Sequence, residues 1–166
     1  MSSDLQSVIN QRLSGATGVA VLAIGSWMRC DDSAGLIVGE EVLRLLETRT
    51  GGYRMTAYIG ETAPENYTSE IKRFAPSHLV LVDAADVGKA PGHVEILESD
   101  VLNGNVSFST HSLPVRVLVD YIRRFITCEV FIIGIQPATS EFAREATPEV
   151  TKAAKQVAAM LTSAGQ

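Results

Sequence analysis

A pair of adjacent carboxylates, a third at the end of an apolar run, and a loop histidine are the side chains best suited to chemistry in this sequence. Asp31 and Asp32 lie in Gly25-Ser-Trp-Met-Arg-Cys-Asp-Asp-Ser-Ala-Gly35, directly after the apolar run 19–24. That segment lacks G-x-G-x-x-G and G-x-x-x-x-G-K-[ST], and it offers carboxylates where a phosphate would need backbone donors and a lysine. An acidic loop suits a cation. The structural alternative is that both aspartates cap the following helix and complement its dipole, which explains one of them more naturally than two. Asp83 ends the run 79–83, where an uncompensated carboxylate carries a large desolvation penalty. It must therefore be paired, hydrogen-bonded or metal-bound. Asp86, in the loop beyond it, suits a plain acceptor of loop N–H groups. His111, in Ser109-Thr-His-Ser-Leu-Pro114, precedes a helix; an imidazole there can ligate a metal, act as a base, or simply meet solvent. His78 and His93, beside or within expected strands, read as structural.

Two carboxylates and an imidazole would make a mixed oxygen and nitrogen site of the kind that suits nickel, zinc or another borderline cation. No nucleophile competes with this reading. There is no G-x-S-x-G elbow, Ser26 is followed by the bulky Trp27, and Cys30 adjoins acids that suppress a reactive thiolate. H-E-x-x-H is absent too. Hydrolysis at such a site would use water activated by a metal or by a carboxylate.

The elements that must position these residues alternate. Continuous apolar runs at 19–25, 79–83 and 130–135 suit parallel strands covered on both faces, with weaker strands at 53–59 and 94–97. Helical spacing appears between them. Ile37, Val38, Val42, Leu45 and Leu46 share one side of a helix. Thr62-x-x-Glu65 has capping-box form before Tyr67, Ile71 and Phe74, and Pro76 stops that helix. Val117, Leu118, Tyr121, Ile122, Phe125 and Ile126 form a third stripe. Thr147 as N-cap and Pro148 in the first turn open a fourth helix, and residues 4–13 add a short one. The expected fold is an α/β three-layer sandwich, a twisted and mainly parallel sheet of about five strands with helices on both faces. Ligands of such sheets bind beyond the carboxyl ends of the strands, where the strand order reverses. Asp31, Asp32 and Asp83 all follow strands in this way.

Composition narrows the class. The 166 residues are 46% hydrophobic and 20% charged, enough for one domain with its own core. We expect a single domain over 1–166, with 1–17 as an N-terminal extension and a core of about 18–162. Fourteen Lys+Arg against nineteen Asp+Glu, a net charge of -5, argue against nucleic acid as a partner. No apolar stretch approaches a membrane span, and the N-terminal residues lack the order of a secretory signal. Cys30 and Cys128 have no metal-type spacing and suit a reducing cytoplasm.

In order along the chain, VAVLAIGSWMRCDDSAG, ETAPEN, HLVLVDAADVGKAPG, STHSLP and VFIIGIQP resemble the [NiFe]-hydrogenase maturation endopeptidases. The resemblance spans residues of about 19 to 160. Through APEN, VDAADVG and GIQP it is nearest the type that processes the hydrogenase of formate hydrogenlyase. It implies a cytoplasmic protease, monomeric alone, that removes the C-terminal extension of the nickel-loaded large-subunit precursor. It further implies that Asp32, Asp83 and His111 are the catalytic and metal-binding residues. Nickel would be supplied by the precursor, with zinc or cadmium able to substitute in crystals. Three alternatives stand beside it: a nickel-dependent checkpoint or chaperone that holds the precursor without cutting, a nucleotide enzyme on a similar sandwich, and a purely structural role for Asp32, Asp83 and His111. The chain departs from the family pattern at Ser26, where asparagine is usual, and at Cys30 and Ser33, where glycine is usual. Glycine reaches backbone angles that cysteine and serine adopt at a cost.

Overall fold

Side-chain alternation along the central strands builds the layers. In the computed structural model, which describes residues 2–98, 107–108, 115–143 and 145–165, β1 (Gly18–Ile24) is buried from end to end. Val19 and Val21 face one core, while Ala20, Leu22 and Ile24 face another. β3 (His78–Asp86) does the same, with Val80 and Val82 on the first face and Leu79 and Leu81 on the second. Each of these valine, leucine and isoleucine side chains, fully removed from water, contributes roughly 1.5–3 kcal/mol.

The elements run α1 (Ser2–Arg12), β1, α2 (Ala34–Leu46), β2 (Arg54–Glu61), α3 (Thr68–Phe74), β3, β4 (Val94–Leu97), β5 (Ser107–Phe108), α4 (Val115–Phe125), β6 (Glu129–Ile135) and α5 (Pro148–Ser163). The strand order is β2-β1-β3-β6-β4, parallel except for β4, and β5 pairs antiparallel with the end of β3. Register is set by pairs such as Val19↔His78 and Val82↔Ile133. The expected doubly wound sandwich is therefore what forms, with β5 a short addition. α1, α2 and α5 cover the first face, and α3 and α4 the second. Ile9 and Leu13, from α1 and the turn after it, are buried in the first core. Among the described residues no helix is long and apolar enough to cross a membrane.

Two glycines seat α2 directly on the sheet. A Cβ at Gly35 would overlap the carbonyl oxygens of Val82 and Ile24, and one at Gly39 would lie 2.7 Å from Ala23 Cβ. α5 closes the same face from further along the chain. Tyr53 donates its hydroxyl to the Leu161 carbonyl at 2.7 Å, Arg49 Nε reaches the Thr162 carbonyl at 2.9 Å, and Gln6 Nε2 the Met160 carbonyl at 3.3 Å.

Two local expectations need correction. Thr62 caps no helix: a 3-10 turn, Pro64–Tyr67, begins after Ala63 with no side-chain cap, and α3 follows it. Proline at the first position, with its φ already set, starts the turn later than a Thr62 cap would require. The α4 stripe also divides. Leu118 and Ile122 are buried, but Val117, Tyr121 and Phe125 are exposed, because Val115 and Val119 occupy the inward face instead.

Candidate active site

Asp32 is placed by a closed loop between β1 and α2. Its N–H donates to the Arg29 carbonyl at 2.9 Å, and its own carbonyl accepts from Ser26 N–H at 3.2 Å. Gly25, at φ 143°, permits this closure, since a Cβ there would overlap the Asp32 carbonyl oxygen. The 3-10 turn Cys30–Ser33 then presents Asp31 and Asp32, both fully buried. Cys30 opens that turn at φ 46°, the left-handed region, whereas Ser33 has an ordinary helical φ of -77°. Of the two missing family glycines, then, only the one at position 30 stands where glycine's freedom is used.

Asp83 lies three residues before the end of β3, opposite Gly134 of β6, and is 1% exposed. The β1–α2–β2 crossover leaves to one side of β1, while β3 leads through α4 to β6 on the other. Strand order therefore reverses between β1 and β3, and Asp32 and Asp83 both sit at the carboxyl ends of these neighbours. This is the crevice where doubly wound sheets bind ligands. Two carboxylates in so dry a place suit a cation, because charge–charge attraction gains strength as water is excluded. His111 lies outside the described residues. Among the described residues no third His, Cys, Asp or Glu joins the two aspartates in a group able to hold a metal ion.

A match over residues 56–164 to a family model described as hydrogenase maturation protease decides the lineage. The chain belongs to the hydrogenase maturation protease family. The Hydrogenase 3 maturation protease of Escherichia coli is 32% identical over 117 residues, 70% of this chain and 71% of that protein. The crystal structure of HycI, a [NiFe] hydrogenase maturation protease of Thermococcus kodakarensis, superposes with a TM-score of 0.80 at 29% identity, covering 93% of this chain and 96% of that one. The E. coli Hydrogenase 3 maturation protease crystal structure gives 0.71 at 30% identity, over 88% and 89%. The family resemblance and the three-layer fold expected from sequence both hold, and the chain is a hydrogenase maturation endopeptidase.

Asp31, in contrast to its neighbour, is wholly engaged in structure. Its carboxylate accepts from the main-chain N–H of Ala138 (2.8 Å), Thr139 (3.2 Å) and Thr147 (2.6 Å), and from Thr147 Oγ1 (2.9 and 3.0 Å). Thr147 consequently makes no side-chain cap of α5; its hydroxyl is turned to Asp31. Sequence reading missed Gln136, which is buried directly after β6. Its Oε1 accepts from Val87 N–H (2.8 Å) and Lys89 N–H (3.2 Å), and its Nε2 donates to Asp86 Oδ1 (3.2 Å). The available signal was a polar residue between an apolar strand and Pro137.

The remaining residues singled out by sequence are placed as follows. His78 is buried at the start of β3, beside Ser77 Oγ at 2.9 Å, and burial holds its imidazole pKa below the ordinary value. His93 lies 3.5 Å from Glu95. Tyr67, from the stripe with Ile71 and Phe74, packs against Tyr58 with ring centroids 5.6 Å apart.

Proposed function

We propose that this endopeptidase removes the C-terminal extension of a [NiFe]-hydrogenase large-subunit precursor after nickel insertion, and that Asp32, Asp83 and His111 grip the nickel carried by that substrate. The observation that supports the reading is the pair of buried carboxylates at the carboxyl ends of β1 and β3, where the strand order reverses. The donor chemistry fits: two anionic oxygens and an imidazole suit nickel, and equally the zinc or cadmium that would serve as probes in crystal soaks. Fixed ligands turn a mobile tail into a near-attack geometry by holding the scissile bond beside them. One aspartate takes the proton of the attacking water as its oxygen bonds to the peptide carbonyl carbon. That proton passes to the departing amine as the C–N bond breaks. The protease meets its precursor as a cytoplasmic monomer.

The test is incubation of the protein with nickel-loaded and nickel-free precursor, read as product mass. Nickel-loaded precursor should lose its tail, and Asp83→Asn should abolish the cut while circular dichroism stays that of the wild type. Cleavage by Asp83→Asn at the normal rate would refute the assignment. Binding of loaded precursor by the wild type without any mass change would identify the non-cutting checkpoint instead.

A further inference from the structure

The turn bearing Asp32 and the carboxyl end of the strand bearing Asp83 are tied to one short segment, residues 136–139, and we infer that Asp31 and Gln136 are positioning residues that use this segment to hold Asp32 and Asp83 at a fixed separation. The inference rests on the proposed role of that pair. On one side, Asp31 is covalently next to Asp32, and its carboxylate takes the N–H groups of Ala138 and Thr139 at 2.8 and 3.2 Å. On the other, Gln136 donates to Asp86, the last residue of β3, at 3.2 Å and takes the N–H groups of Val87 and Lys89 just beyond it at 2.8 and 3.2 Å, gripping the end of the strand that carries Asp83. Asp86 is itself fixed by Gly88 N–H at 3.1 Å. Between the two grips lies Pro137, whose ring locks φ, so the connection is short and stiff.

The segment is anchored from below as well. Gln136 N–H donates to the His93 carbonyl at 2.8 Å, and its own carbonyl accepts from Gly92 N–H at 2.9 Å, carrying the ladder between β4 and β6 one step further. Every polar atom of the Gln136 amide has a partner, and Asp31 accepts five contacts through its two oxygens. Full satisfaction of buried polar groups is what makes such a network rigid. A ligand pair set on separate elements, one in a turn and one near a strand end, gains from such support, because partners beyond the ligands set the orientation of the side chains that hold the ion.

The structure identifies the variants. Gln136→Ala removes one grip, and Asp31→Asn weakens the other by turning an amide N–H₂ toward backbone donors. Gln136→Glu keeps the acceptor for Val87 and Lys89 but sets a carboxylate against Asp86. Adding Asp86→Asn restores a donor there with direction reversed. Cleavage of nickel-loaded precursor should show kcat lowered about 10–100-fold in Gln136→Ala and Gln136→Glu, with KM within about twofold of wild type. The Gln136→Glu/Asp86→Asn double variant should recover most of the loss. Amide hydrogen exchange on the full-length protein supplies a readout independent of nickel. A brace requires reciprocity: Gln136→Ala should speed exchange at Ala138 and Thr139, and Asp31→Asn should speed it at Val87 and Lys89. Exchange that rises only on the mutated side, or a kcat unchanged in folded Gln136→Ala, overturns the inference. Asp83→Asn measured alongside separates the two levels. If it still cuts, the proposed role of the aspartates fails, whatever the exchange data say about the brace.

Discussion

Cys30 offers a measurement in which the usual ranking of two small residues should invert. It stands at φ 46° at the start of the turn that carries Asp31 and Asp32, with its N–H bonded to the Ala143 carbonyl at 2.7 Å and its carbonyl held by Ser33 Oγ at 2.6 Å. Both bonds belong to the main chain of Cys30, so substitution leaves them available. In an ordinary helix or strand, alanine is more stable than glycine by roughly 0.5–1 kcal/mol, because glycine loses more conformational freedom on folding. In the left-handed region a Cβ costs roughly 1–2 kcal/mol that glycine avoids. Subtracting one effect from the other leaves Cys30→Gly ahead of Cys30→Ala by about 0.5–1 kcal/mol. Cys30 is 8% exposed, and deleting its thiol forfeits about 0.8 kcal/mol of burial in either variant. Wild type should therefore lie well above Cys30→Ala and close to Cys30→Gly. Equilibrium urea unfolding with a common m-value reads the ranking directly, and thermal melts should separate the two variants by about 1–4 °C. An alanine variant as stable as the glycine variant, or more so, would refute the argument from backbone angle.

Gly35→Ala should destabilise the protein by about 3 kcal/mol and depress cleavage, since the new methyl group displaces α2 from the Val82 and Ile24 carbonyls beside the site; urea unfolding and the precursor assay check both. Burial lifts the Tyr53 hydroxyl from its ordinary 10.0 up to about 12, so the folded state keeps a proton that the unfolded chain releases near pH 10. Its stabilising effect is complete below pH 10 and is lost as pH climbs toward 12. The stability gap between wild type and Tyr53→Phe should therefore shrink from pH 9 to pH 11, and a constant gap would contradict this. Burial also pushes the Cys128 thiol from 9.0 up to about 11, so at pH 8 it should alkylate about a hundredfold more slowly than an unperturbed cysteine, as peptide mass mapping would show.

The layers were legible in the sequence because β1, β3 and β6 are buried on both faces and leave unbroken apolar runs, such as Val130 to Ile135. The candidate site was legible for the same reason. A carboxylate at the end of such a run, as at Asp83, stands out against its neighbours. What could not be read was the division of labour between Asp31 and Asp32. Nothing local distinguishes them, and the difference arises from partners at positions 138, 139 and 147, more than a hundred residues away. Gln136 was hidden likewise, since its partners, the main-chain N–H groups of Val87 and Lys89 and the Asp86 carboxylate, lie about fifty residues away. The α4 stripe misled because adjacent apolar residues such as Val117 and Leu118 point to different faces, and only packing decides which turns inward.

The way α5 is fastened bears on how the protein is made. Its carbonyls accept from Gln6, Arg49 and Tyr53, and Thr147, the residue just before it, bonds Asp31, all four partners within the first third of the sequence. While the ribosome has yet to supply residues 148–163, the apolar flank of α2 and the strands beneath it has no cover, and a nascent chain in that state exposes adhesive surface to chaperones and to other chains. The Asp31 loop likewise gains its full set of donors only once Thr147 has been joined to the chain. Competence to process a substrate thus arrives late in synthesis. A product halted before residue 148 would aggregate or be degraded rather than act as a smaller peptidase.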